Sequence, residues 1–131
     1  MLTREYPQVA VVIPAHNDWE HTEECLKGLE QATYSNLEVI LVDDGSTDGT
    51  SRYAAKQFPS VQVLTGDGSL WWTGSMNLGI RQALARGTDY VMALNNDVIV
   101  APDAIEALTN CAQEHRGAVV GSLIYQADQP D

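Results

Sequence analysis

The chain has 131 residues with 44% hydrophobic and 19% charged side chains, enough for one domain with a real core and too few for two, so residues 1–131 are read as a single domain. Its net charge of −11, with only seven scattered Lys and Arg, argues against nucleic acid as a partner; an acidic protein meets a phosphate-bearing ligand more readily through a divalent cation. No apolar run approaches the roughly 20 residues of a membrane helix, and the start MLTREYPQ lacks the build of a signal peptide, so a cytoplasmic location is expected.

The first predicted element is a strand over 9–13, short, β-branched and stopped by Pro14, which delivers Ala15, His16 and Asn17 to its carboxyl tip. Asp18 then suits the N-cap of a helix through DWEHTEECLKGLEQAT, where Trp19, Thr22, Leu26 and Leu29 recur at helical spacing. In EVILVDDGSTDGT, the unbroken apolar run Val39, Ile40, Leu41, Val42 reads as a parallel strand covered on both faces, with Asp43 and Asp44 at its tip. A helix through Tyr53, Ala54 and Ala55 ends before Pro59, and a strand over 61–65 closes a βαβαβ unit.

The next segment, GDGSLWWTGSMNLGIRQALARG, reads as a loop followed by a helix patterned on Met76, Ile80, Ala83 and Leu84 and stopped by Gly87. Trp71 and Trp72 could stack on a sugar or base or anchor a loop in the core; because adjacent residues of an extended segment point opposite ways, core anchoring of one and partial exposure of the other are expected. A strand over 90–94 ends in Asn95, Asn96 and Asp97. A helix started by Pro102 carries Ile105, Leu108 and Ala112 as its apolar stripe, and AVVGSLIY is a predicted fifth strand. Cys25 and Cys111 fit neither a zinc spacing nor a disulfide framework and are read as buried small hydrophobes; His21 and His115 fall on helix surfaces.

Three strands thus end in polar side chains: at Asn17, at Asp43 and Asp44, and at Asn95, Asn96 and Asp97. Right-handed crossovers keep the carboxyl ends of parallel strands on one edge. Ligands bind in the crevice beyond that edge, so the three tips are expected to line one cleft.

In order and spacing, VVIPAHN, VDDGSTDGT, LWWTGSMNLGI and LNND resemble the nucleotide-sugar-binding half of family 2 glycosyltransferases, and LWWTGSMN looks more like their rhamnosyltransferase-like members than like cellulose or hyaluronan synthases. The resemblance implies a three-layer α/β/α domain with a mostly parallel sheet, the GT-A fold, truncated before the acceptor half. It implies inverting transfer of a sugar from a nucleoside diphosphate to a saccharide or lipid-linked acceptor hydroxyl, as in polysaccharide biosynthesis, with Mg²⁺ or Mn²⁺ and at most peripheral contact with the inner membrane face. Carried over position by position, Pro14, Ala15, His16 and Asn17 contact base and ribose, Asp43 and Asp44 hold base and ribose hydroxyls, and Gly74 and Asn77 belong to the same nucleotide site. The metal motif falls on Asn95, Asn96 and Asp97, leaving Asp97 as the metal ligand with amide oxygens of Asn95 or Asn96 beside it.

Two departures from the family pattern stand out. Met76 occupies the place of an Arg found in many relatives, and no Asp or Glu of this chain is nominated as the general base that deprotonates the acceptor. A nucleotide-binding or regulatory module of the same fold without chemistry is therefore the main rival. A nucleotidyltransferase is the weaker one, since PAHND is not the glycine-rich, basic loop it would need.

Overall fold

The computed structural model describes residues 6–126. Strands β1 (Val9–Ala15), β2 (Leu37–Asp44), β3 (Gln62–Gly66) and β4 (Tyr90–Ala93) alternate with helices α1 (Trp19–Glu30), α2 (Thr50–Gln57) and α3 (Trp71–Ala85), and α4 (Ala104–Glu114) follows. The strands form one parallel sheet in the order β3-β2-β1-β4, with Ala15 opposite Asp43 and Asp44 opposite Gly66. The three-layer parallel architecture expected from the sequence is present.

Period-two alternation along β1 sorts the core into two faces. Val9, Val11, Ile13 and Ala15 pack with Cys25, Leu26 and Leu29 of α1, Ala54 of α2 and Ile105 of α4. Ala10 and Val12 turn the other way, with Ile40 and Val42 of β2, onto Met76 and Ala83 of α3. Three helices therefore cover one face and α3 alone covers the other. Its approach depends on Gly79, where an added Cβ would lie 2.3 Å from Val12 Cγ1 and 3.2 Å from Val42 Cγ2. Met76 is buried in this face and does not reach out toward a ligand.

Helix ends follow local chemistry. Gly87, at φ +79°, closes α3 as a Schellman turn, with Gly87 N–H on Leu84 O at 3.0 Å and Thr88 N–H on Ala83 O at 3.3 Å. Asp18 is the first flanking residue of α1 as expected, but at φ 64° its carboxylate does not cap the helix and pairs with His21 at 2.7 Å instead. The cap comes from elsewhere: Asp48 accepts from Trp19 N–H at 3.0 Å, and from Thr50 N–H at 3.0 Å and Thr50 O–H at 2.6 Å at the start of α2. Burial by itself would raise the Asp48 carboxyl, yet these donors outweigh it and hold the group below its ordinary value of 3.8.

Several expectations are corrected. Strand β1 does not stop at Pro14 but runs through it to Ala15. Val12 O accepts from Leu94 N–H, so alternation turns Pro14 toward the side where β4 has already ended, and its missing N–H breaks no ladder bond. Helix α4 begins two residues after Pro102, whose carbonyl accepts from Thr33 N–H and O–H. Cys25 is buried, but Cys111 is exposed, because it faces solvent from α4. The predicted fifth strand is absent: residues 118–125 form no ladder, and Val119, Leu123 and Ile124 are each more than four-fifths exposed. An apolar run becomes a strand only where a neighbouring backbone can pair with it, and among the described residues none does so there.

Two expectations follow. Gly79→Ala gains about 1 kcal/mol in helix propensity but forces a methyl into closed helix–sheet packing, at a cost of about 1–3 kcal/mol; urea denaturation should show a net loss of stability with an unchanged m-value. Asp48→Ala removes a cap shared by two helices and should cost about 1 kcal/mol at neutral pH. Because the folded state depresses this carboxyl, its contribution is complete above 3.8 and is lost as the pH falls through the lower folded-state value. The melting temperatures of Asp48→Ala and the parent should therefore converge in acid.

Candidate functional site

The loops after β1, β2 and β3 are joined through two carboxylates at the tip of β2. Asp43 and Asp44 are each only 3% exposed. Asp43 Oδ1 accepts from the N–H and hydroxyl of Ser46, and Oδ2 from the N–H and hydroxyl of Ser51. Asp44 reaches across to the third loop, accepting from Gly68 N–H on Oδ1 and Trp71 N–H on Oδ2, both at 2.8 Å. A carboxylate has about four acceptor positions. Those of Asp43 are filled, and Asp44 keeps two.

The β1 loop is laced to the same place. Asn17 and Asp18 are in the left-handed region, at φ 55° and 64°, which Asn and Asp tolerate best among residues with a side chain. Asn17 N–H donates to Ser46 Oγ at 2.6 Å, and Asn17 Oδ1 accepts from Thr47 N–H at 2.8 Å. His16 Nδ1 lies 2.6 Å from the Asp44 carbonyl and Nε2 lies 3.3 Å from Asn17 Nδ2. These two contacts tie the imidazole to the loop. Where the β2 and β3 loops meet, a Cβ on Gly45, at φ +71°, would stand 2.7 Å from Gly68 N.

These loops enclose a cleft of about 280 Å³ lined by Pro14, Ala15, His16, Asp44, Gly68, Trp71, Trp72, Ser75 and Asn96. Three strand tips thus meet in one cleft, as the crossover argument requires. Of the residues nominated from the sequence, Pro14, Ala15, His16, Asp44 and Asn96 line it. Asn17 and Gly74 are half-buried and do not line it, Asn77 is exposed on α3, and Asp43 lines a separate cavity of about 270 Å³. Asn95 lies on a groove of about 560 Å³ running along β4 and α4.

The sequence reading missed Gly68 and Ser75 and misplaced the tryptophans. Helix α3 begins at Trp71, five residues before its apolar pattern starts, so the pair sits in a helical first turn and not in an extended segment. Neither anchors the core; Trp71 is 80% and Trp72 54% exposed. Trp72 Nε1–H donates to Asn95 Oδ1 at 2.9 Å, and Asn96 Nδ2–H donates to Thr22 Oγ1 at 3.1 Å, which fixes the β4 tip against α3 and α1.

No Lys or Arg lines the cleft. Asp97 is exposed just beyond the β4 tip, and among the described residues no three His, Cys, Asp or Glu gather to hold a metal ion. Cys25 is no nucleophile: burial and then the nearby Asp97 charge push its thiol up to about 12.

The model of glycosyl transferase family 2 matches residues 10–131. Among curated proteins, the chain is 33% identical to the glycosyltransferase GlyG of Streptococcus pneumoniae, covering 94% of this chain and 41% of that protein. It is 32% identical to the N-acetylglucosaminyl-diphospho-decaprenol L-rhamnosyltransferase of Mycobacterium tuberculosis, covering 97% of this chain and 43% of that protein. The chain therefore spans about two fifths of the length of these relatives. Among solved structures, a mannosyltransferase of Pyrobaculum calidifontis in complex with GDP-Man and Mn²⁺ matches at a TM-score of 0.71 and 25% identity, covering 81% of this chain and 32% of that one. TarS of S. aureus in complex with UDP-GlcNAc matches at 0.71 and 20% identity, over 88% of this chain and 37% of that one, a likeness of fold. With a parallel α/β sheet, a cleft at its carboxyl edge and a family match across nearly its whole length, the chain belongs to glycosyl transferase family 2.

Proposed function

We propose that this domain binds the nucleoside-diphosphate sugar donor of an inverting transfer, together with Mg²⁺ or Mn²⁺, for attack by an acceptor hydroxyl. The observation that carries the reading is the convergence of the β1, β2 and β4 tips with the start of α3 on one cleft at the carboxyl edge of the sheet. The similar mannosyltransferase, complexed with GDP-Man and Mn²⁺, supports a nucleotide sugar and a divalent ion as the ligands.

Pro14, Ala15, His16 and Asp44 take the nucleoside, with the two open acceptor positions of Asp44 available to a base or ribose donor. Asn96 and Asp97 take the diphosphate end. Asp97 offers the hard, anionic oxygen that such ions prefer. It offers only one, and the Asn95 carbonyl is already engaged by Trp72, so the ion fits this chain only when diphosphate oxygens complete its shell. When bound, it neutralises charge developing on the leaving diphosphate. The chain's own residues hold the nucleoside, align the diphosphate with the β4 tip and keep the loops fixed.

No residue here is assigned as general base. The saccharide or lipid-linked acceptor, and the group that deprotonates it, are proposed to lie outside this domain. No helix among the described residues is long and apolar enough to cross a membrane; the proposed setting is the cytoplasm, free or at the inner membrane face. A binding module without chemistry is the second reading, favoured by the single carboxylate at the β4 tip.

Thermal shift should show no response to Mn²⁺ alone and a clear one to a nucleoside diphosphate with Mn²⁺; ligand at a hundred times its Kd adds about 2.7 kcal/mol. Asp97→Ala should abolish the Mn²⁺ dependence of that shift and any Mn²⁺-dependent release of nucleoside diphosphate from a nucleotide sugar. Tight nucleotide binding with no release by the parent chain would favour the binding module, and absence of any nucleotide shift would refute the donor site.

A further inference from the structure

We propose that Trp71 is the stacking platform for the nucleobase of the donor, presented to the cleft by a strained backbone that Asp44 clamps; the inference rests on the donor-binding reading above. Trp71 lines the cleft and yet is 80% exposed, and its indole makes no hydrogen bond or ring contact among the described residues. Its neighbour differs, since the Trp72 ring is tied through Nε1–H to Asn95. An aromatic ring without partners, on the rim of a cleft, lacks a packing role.

The backbone supports the assignment. Trp71 has φ +56°, a conformation that is costly for any bulky side chain and that persists only where the surroundings enforce it. The enforcing contact is the Trp71 N–H donated to Asp44 Oδ2 at 2.8 Å, on a carboxylate buried at the β2 tip. A less strained residue at the start of α3 would serve the fold equally well. The cost is intelligible if the ring must be placed toward the cleft.

Electrostatics says which part of the ligand the ring meets. With no Lys or Arg in the lining and Asp44 as its charged member, the cleft offers little to a diphosphate. Affinity has to come from the uncharged, planar end of the donor, through stacking, which accepts any base, and through donors on the base edge that reach the open positions of Asp44. Gly68 and Ser75 keep the neighbouring wall low: a Cβ on Gly68 would meet only Asp44 O, at 3.9 Å.

The test is calorimetric titration with UDP, GDP and dTDP, and with one sugar nucleotide of whichever base binds, all with Mn²⁺. Trp71→Ala should weaken binding of nucleoside diphosphate and sugar nucleotide alike, by about tenfold or more, and Trp71→Tyr should retain most of the affinity. Trp71→Gly should bind as poorly as Trp71→Ala but melt at or above it, because glycine takes φ +56° without strain. Binding by Trp71→Ala within about twofold of the parent, or a loss confined to the sugar nucleotide, would overturn the base platform. A lower melting temperature for Trp71→Gly than for Trp71→Ala would overturn the clamp. Failure of the parent chain to bind any of the nucleotides would instead refute the donor site itself, and the platform with it.

Discussion

Everything at the carboxyl edge of this sheet depends on two adjacent carboxylates being buried at the tip of its longest strand. Isolated buried carboxylates would be prohibitively costly, and they are tolerated here because loop N–H and hydroxyl donors surround them. Asp43 organises its own loop and the first turn of α2; Asp44 reaches over to the β3 loop and the first turn of α3. The β1 loop joins by giving its Asn17 N–H to Ser46, which itself donates to Asp43. The cleft is thus framed by hydrogen bonds internal to the protein.

That arrangement separates two neighbouring acids that look equivalent in the sequence. The side-chain period of a strand sends Asp43 and Asp44 to opposite faces. One meets the helix side and is saturated by serines; the other meets the α3 side, where the cleft opens. VDDG therefore reads as one structural acid followed by one that keeps acceptor capacity for a ligand. Beyond the end of β4, Asn95 lies on the groove along β4 and α4 and Asn96 on the cleft.

The sheet, its four helices and the meeting of three strand tips were legible because each rests on local pattern: apolar runs, helical stripes, Gly87 as a stop. What was not legible rests on non-local partners. Asp48 caps α1 from 29 residues away, and no spacing rule reveals a cap delivered across the sheet edge. The start of α3 at Trp71 was missed because its first turn is exposed and carries no apolar stripe; its position is set by Asp44 and not by periodicity. AVVGSLIY has every compositional mark of a strand, but strand formation is a property of two backbones, and the second is absent among the described residues.

Helix α3 couples stability to the site more tightly than any other element. It alone covers one face of the sheet, through Met76, Ala83 and the glycine contact at Gly79, and its first turn supplies the rim of the cleft. A helix is stiff along its axis, so a displacement of α3 at Gly79, about two turns from Trp71, is transmitted to the cleft rim. The burial of Met76 belongs to the same packing. An Arg directed into this face would need a buried partner among Ala10, Val12, Ile40 and Val42, none of which can provide one. Filling the site with a thioether seats α3 closely on β1 and β2, and leaves the cleft without a cation of its own. On the donor-binding reading proposed above, an anionic ligand then relies on flat aromatic contact, on the carboxylate and amides at the strand tips, and on an ion that it carries in with its own phosphates.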